Sequence, residues 1–275
     1  MKTDCANLRL FIILAITLCL SGGTDRARGD ENEVDLELVL AVDVSRSMDI
    51  DEQLLQRNGY VSAIQHPDVI SAIKQGLLGR IAVTYIEWAG QGLQKITVPW
   101  TLIDNAGSAA SFAERLQMPP IIRWRKTGIS GAILYSGELF EKNGFRGLRR
   151  VIDVSGDGPN NSGIPVFEAR DRMVAKGITI NGLPLQLKLS QWSGFFDIAQ
   201  LDIYYEDCVI GGPGSFWIAV RDPKEFANAI RRKLLLEIAQ VLPAKIFRVQ
   251  GWQRKSRIDC LIGEKRWQEY IESYE

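Results

Sequence analysis

Three short stretches carry the oxygen chemistry of this sequence: Asp43-Val44-Ser45-Arg46-Ser47, the threonine of Thr127-Gly128-Ile129, and the aspartate of Gly156-Asp157-Gly158. Together they offer two carboxylates and three neutral hydroxyls. That is a hard oxygen set, suited to one divalent cation: magnesium first, with manganese or calcium as alternatives, and not zinc. With so few charged ligands the ion stays electrophilic and retains affinity for an outside carboxylate, which makes it a docking point and not a closed structural site. The competing reading is plain. Short polar residues after a strand also cap helices and make turns without any metal, in which case the chain is a metal-free scaffold.

These residues must be positioned by the elements around them. Val34 to Val42 reads as a strand that turns fully apolar as it enters the core, with Asp43 at its carboxyl end. Asp49 to Gln65 is predicted helical, acidic in its first turn and closed by Pro67. Arg80 to Trp88 is a second strand, and Lys95 to Ile103, interrupted by Pro99, reads as an edge strand. A helix is predicted over Ala106 to Leu116. Another runs from Thr127 to Lys142, with Ile129, Ile133 and Phe140 on one stripe and Gly144 after it. Arg149 to Ser155 is a strand that leads into Asp157, and Val166 to Lys176 is the returning helix. Ile178 to Leu185 and Ser215 to Val220 are predicted as further strands. Phe226, Ile230, Leu234, Ile238 and Leu242 recur every fourth residue as the core stripe of a long helix. This alternation predicts an α/β fold: a doubly wound, mostly parallel sheet with helices on both faces, its ligand site beyond the carboxyl ends of the strands.

With those loops in view, the chain resembles the von Willebrand factor type A family. Asp43-Val44-Ser45-Arg46-Ser47 is similar to its Asp-x-Ser-x-Ser metal motif, Thr127-Gly-Ile-Ser-Gly to its threonine loop, and Ser155-Gly156-Asp157-Gly158 to its Thr-Asp-Gly loop. The resemblance spans roughly Val34 to Val241. It implies that Ser45, Ser47 and Thr127 ligate the ion directly and Asp43 and Asp157 directly or through water. It also implies that the chain is a non-enzymatic, adhesion-type module whose protein partner donates a carboxylate to the metal. Gly156 departs from the family, which has threonine there. Glu87-Trp-Ala-Gly90, the Asp157 loop and Cys208-Val-Ile-Gly-Gly-Pro-Gly214 further resemble a bacterial group of uncharacterised exported proteins.

A rival comes from another class. Gly156-Asp157-Gly158-Pro159-Asn160-Asn161 is also similar to the magnesium loop of haloacid-dehalogenase phosphatases, with Asp43 as nucleophile. Those enzymes need a second aspartate two residues on, where this chain has Ser45, which cannot serve as general acid. His66 is the sole histidine and sits at a predicted helix end, as a cap, so Ser-His and Cys-His catalysis find no support. Asp153 reads either as a group orienting the Asp157 loop or as a hydrogen-bonded buried carboxylate. Arg123, Trp124 and Arg125 flank the threonine loop as a candidate contact surface or as ordinary surface residues.

Of 275 residues, 33 are basic and 33 acidic, so no global field draws the chain to nucleic acid. Lys2 and Arg9 precede the apolar run Leu10 to Leu20, which small residues follow. That is a signal-peptide layout, and eleven residues fall short of the ~20 that span a bilayer. The expected organisation is therefore a signal peptide over 1–23 cleaved near Gly23, a linker over 24–33, a von Willebrand-like domain over 34–248 and a tail over 249–275. The mature chain is expected in the periplasm or outside the cell, with no stable membrane span. Arg28-Gly29-Asp30 is read as ordinary linker. Of the four cysteines, Cys208 and Cys260 survive leader removal. An oxidising compartment allows them to pair; two buried thiols are the alternative.

Overall fold

The structure is a computed structural model, and it describes residues 32–187, 198–239 and 257–273. The expected signal peptide and the Arg28-Gly29-Asp30 stretch lie outside the described residues, as do the linker up to residue 31 and the tail's first residues.

Among the described residues five strands form the central sheet: β1 Leu36–Asp43, β2 Ile81–Trp88, β3 Gln94–Ile103, β4 Arg150–Gly156 and β5 Thr179–Pro184. Their order is β3-β2-β1-β4-β5, parallel throughout except for β3, which runs antiparallel on the edge and carries Pro99. An edge tolerates a residue that cannot donate to the ladder. A separate two-residue pairing joins Glu33–Val34 to Arg146–Gly147. Both faces of the sheet are covered, so β1 and β2 are buried at every position and read as apolar runs without alternation.

Successive β1 residues nevertheless serve different cores. Leu36, Leu38, Leu40 and Val42 pack with helices α1 Ile50–Ile64, α2 Pro67–Lys74 and α3 Ala106–Gln117. Val39 and Ala41 pack on the opposite face with α4 Ile129–Leu139 and α5 Val166–Ala175. A short helix, α6 Leu201–Tyr204, continues into a π turn over Tyr205–Val209 on that second face. The long helix α7 Phe226–Ala239 covers the first, through Phe226, Ile230, Leu234 and Ile238. The last helix, α8 Ile262–Glu272, lies in the region expected as tail.

Two expectations are corrected. Pro67 does not simply close the helix before it; it is the first residue of α2, where its missing N–H costs nothing, and His66 caps that helix by accepting from Asp68 N at 3.2 Å. Ser215 to Val220 forms no strand. It meets β5 and the residue after it through isolated bridges, Trp217 to Gly182 and Val220 to Leu185, and through Phe216 N donating to Asn181 Oδ1 at 3.1 Å. Pro184, at the end of β5, has no amide to sustain the ladder.

Candidate metal centre

Asp43 ends β1, beside Trp88 at the end of β2 and one residue beyond the Val42–Ser155 pairing with β4. After it the chain turns sharply, because Ser45 N donates to Asp43 Oδ1 at 2.6 Å. The turn brings Ser45 Oγ within 2.6 Å of Ser47 Oγ, and Ser47 Oγ donates to Asp157 Oδ1, also at 2.6 Å. Asp49 then caps α1 in a reciprocal pair with Glu52, an arrangement worth about 1 kcal/mol.

Thr127 is delivered by Lys126, whose φ of 68° is left-handed, a costly conformation for a residue with a side chain. The Thr127 and Asp157 loops are stapled reciprocally: Thr127 N donates to Asn161 Oδ1 and Asn161 N to Thr127 O, each at 2.8 Å. Helix α4 has Gly128 at its N-cap, with no side chain to satisfy its first amides. Asn160 of the opposite loop does so, accepting from Ser130 N at 3.0 Å. Thr127 Oγ1 lies 3.9 Å from where a Cβ on Gly158 would stand, which puts it against the Asp157 loop.

Asp43, Ser45 and Thr127 are buried, whereas Ser47 and Asp157 are partly open. The Asp43 carboxyl is pushed well above the ordinary range, first by burial and then by the Asp157 charge; hydrogen bonds from Ser45 and the Asp157 backbone pull the other way. Its Oδ2 atom is buried with no well-aligned hydrogen-bond partner. Two carboxylates whose charges oppose one another, one of them with an orphaned oxygen, fit a cation. Among the described residues no three His, Cys, Asp or Glu side chains cluster as a cage, so any ion here would rely on hydroxyls.

Gly156 has a steric reason. A Cβ there would stand 2.9 Å from Asp43 Oδ2, 3.0 Å from the Tyr205 hydroxyl and 3.3 Å from the Trp88 ring. Tyr205, fully buried in the π turn, therefore occupies the space a β-carbon would need; no periodicity in the sequence points to it. Gln56 of α1, which no sequence motif marks, donates to Ser155 Oγ at 2.7 Å beneath the loop.

Asp153 does not orient the Asp157 loop. It faces α7, where Lys233 Nζ lies 2.6 Å from its Oδ1 and 2.5 Å from Glu237 Oε1, all three buried. Arg123 donates to Arg46 O at 2.8 Å and Trp124 N to Val44 O at 3.1 Å, so both brace the Asp43 turn, while Arg125 is exposed. Cys208 and Cys260 form a disulfide, and α8 follows it directly.

A mostly parallel sheet covered on both faces, with these loops at the carboxyl ends of β1 and β4, defines a von Willebrand factor type A fold. Solved structures agree. A von Willebrand factor type A protein from Catenulispora acidiphila superposes with a TM-score of 0.50 at 15% identity, covering 75% of this chain and 43% of that one. Proximal thread matrix protein 1 from the mussel byssus, with a zinc-occupied MIDAS motif, gives 0.52 at 12%, covering 75% and 48%. The pilus adhesin SpaC from Lactobacillus rhamnosus GG gives 0.53 at 11%, covering 76% and 31%. The chain thus spans less than half of each of these structures. By sequence, residues 33–242 match the family described as "Protein of unknown function (DUF1194)", and the chain belongs to that family. No curated protein matches it.

Proposed function

We propose that the chain is a metal-ion-dependent, protein-binding module of the adhesion type. One divalent cation, magnesium by preference, would be held by Asp43, Ser45, Ser47, Thr127 and Asp157, and a partner's carboxylate would complete its coordination. The observation that carries this reading is the convergence of the Asp43 turn and the Asp157 loop on one point, joined by the 2.6 Å bond from Ser47 to Asp157, with Asp43 Oδ2 buried and unsatisfied beside them. The ion would supply an electrophilic docking point. Asp43, at the end of β1, would tie it to the sheet, and the partly exposed Ser47 and Asp157 would leave it within reach of a partner.

The adhesin and byssal likenesses support an interaction role by fold alone. We further propose an exported module acting in the periplasm or outside the cell. The leader layout supports this, and so does the Cys208–Cys260 bridge, a feature of oxidising compartments. Among the described residues no helix is long and apolar enough to cross a membrane.

The test is thermal unfolding of residues 24–275 in chelator and then in millimolar magnesium, manganese or calcium, beside Asp43→Ala. A ligand that binds only the native state raises stability by mass action, about 2.7 kcal/mol at a hundredfold excess over Kd. A rise that Asp43→Ala abolishes is the expected result. No rise with any of the three ions overturns the metal reading in favour of the scaffold.

A further inference from the structure

Helix α8 lies beyond residues 33–242, the part that matches the family, yet it grips both loops of the candidate metal centre. On the Asp157 loop, Glu264 Oε1 accepts from Asn160 Nδ2 at 2.7 Å. Asn160 is fully buried, and its other groups are bonded as well: Oδ1 accepts from Ser130 N, Nδ2 also donates to Ile164 O at 3.1 Å, and its backbone N donates to the Tyr204 hydroxyl at 3.1 Å. Its neighbour Asn161 staples Thr127. On the Thr127 loop, the ammonium of Lys126, the left-handed residue, stands 4.7 Å over the Trp267 ring.

The approach is close. A Cβ on Gly263 would fall 2.0 Å from the Asn160 carbonyl oxygen, so the helix backbone itself rests on the loop. An eleven-residue helix is marginal by itself in water, and Gly263 is its only fully buried residue. What keeps it in place is anchored just upstream, where Cys260 is bonded to Cys208, and Arg257 pairs with Asp207 at 2.9 Å and with Glu206.

We propose that α8 is a disulfide-anchored clamp in which Glu264 and Gly263 act as positioning residues, holding Asn160, and through it Asp157 and Thr127, in cation-binding geometry. This rests on the metal reading above. Groups that orient metal ligands from behind typically change affinity 10- to 100-fold. Acting one residue further back, the clamp should contribute the lower end, about tenfold.

The experiment uses the full mature chain and two readouts: Mn2+ affinity by titration, and hydrogen exchange of the Thr127 and Asn161 amides in metal-free protein. Glu264→Ala, Gly263→Ala and the double variant Cys208→Ser/Cys260→Ser should each weaken Mn2+ binding about tenfold and speed exchange at both amides. Glu264→Gln should match the wild type in both, because its carbonyl oxygen still accepts from Asn160. Unchanged affinity and unchanged exchange in both Glu264→Ala and Gly263→Ala overturn the clamp. A wild-type chain that takes up no Mn2+ overturns the metal reading instead, and exchange in the metal-free variants then decides the clamp by itself.

Discussion

Ser47 Oγ donates to Asp157 Oδ1 at 2.6 Å, joining loops 110 residues apart in sequence. That bond ties together the two partly open members of the site. A cation that replaced the shared proton contact with its own charge would pull both oxygens toward itself. Ser47→Ala and Asp157→Asn are therefore expected to weaken Mg2+ binding at least tenfold, while lowering stability in chelator by only about 1 kcal/mol, the usual worth of one hydrogen bond. Calorimetric titration and chelator-state melting separate the two effects. Wild-type Mg2+ affinity in both variants would sink the assignment of these two residues.

Gly156 stands where related motifs carry threonine, and the Tyr205 hydroxyl is 3.0 Å from the point a β-carbon would reach. Gly156→Thr should therefore destabilise the fold by about 1–3 kcal/mol, the usual cost of overpacking a filled interior. Tyr205→Phe, which removes the crowding oxygen, should recover part of that loss when combined with it. A double-mutant cycle in urea reads the coupling; strictly additive effects would mean that the tyrosine is not what the side chain meets.

The fold was legible because apolar runs and helical stripes alternate along the chain, and because Pro99 marks β3 as an edge. Legibility failed where a local signal has two meanings. Pro67 ends one helix and opens the next, and Ser215 to Val220 has strand composition beside a strand that ends in proline. The Asp43 turn and the Asp157 loop stood out as polar residues after apolar strands. Their supports did not: Tyr205, Gln56 and Glu264 reach the loops across 49, 99 and 104 residues, and no periodicity encodes such contacts. Asp153 shows the limit of strand parity. Its place in the strand leading to the Asp157 loop allows either a support for that loop or a hydrogen-bonded buried carboxylate, and it is the second, partnered by a lysine of α7.

That lysine has a pH signature. Asp153 is raised to about 7, chiefly by burial and then by Glu237, against the opposing pull of Lys233. A carboxyl raised in the folded state adds stability in its protonated form, and that stability is lost as pH rises through the folded value. Relative to Asp153→Asn, which cannot ionise, the wild type should lose stability as pH rises from about 4 to about 7, by an amount on the order of a few kcal/mol. Groups remote from this triad cancel in the difference, so urea unfolding of the two proteins across that range reads the titration of Asp153 and its partners, and parallel profiles would show that Asp153 does not titrate there. Lys233→Met should be worse than either at neutral pH, by about 3–5 kcal/mol, since it leaves Asp153 and Glu237 buried without their cation.

The Cys208–Cys260 bridge spans 52 residues of sequence. In the chain-entropy view, closing a loop of that length removes freedom from the unfolded ensemble worth about 4 kcal/mol. Reduction, or the double serine variant, should therefore lower the unfolding free energy by up to that amount. The clamp makes the result more specific than a general loss. If α8 depends on its anchor, local opening of the Asn160–Asn161 loop should precede global unfolding in the reduced protein, and exchange at the Asn161 amide should then separate from exchange in β1, which is buried at the centre of the sheet. If both segments exchange together after reduction, the bridge stabilises the fold as a whole and not the loop beside it.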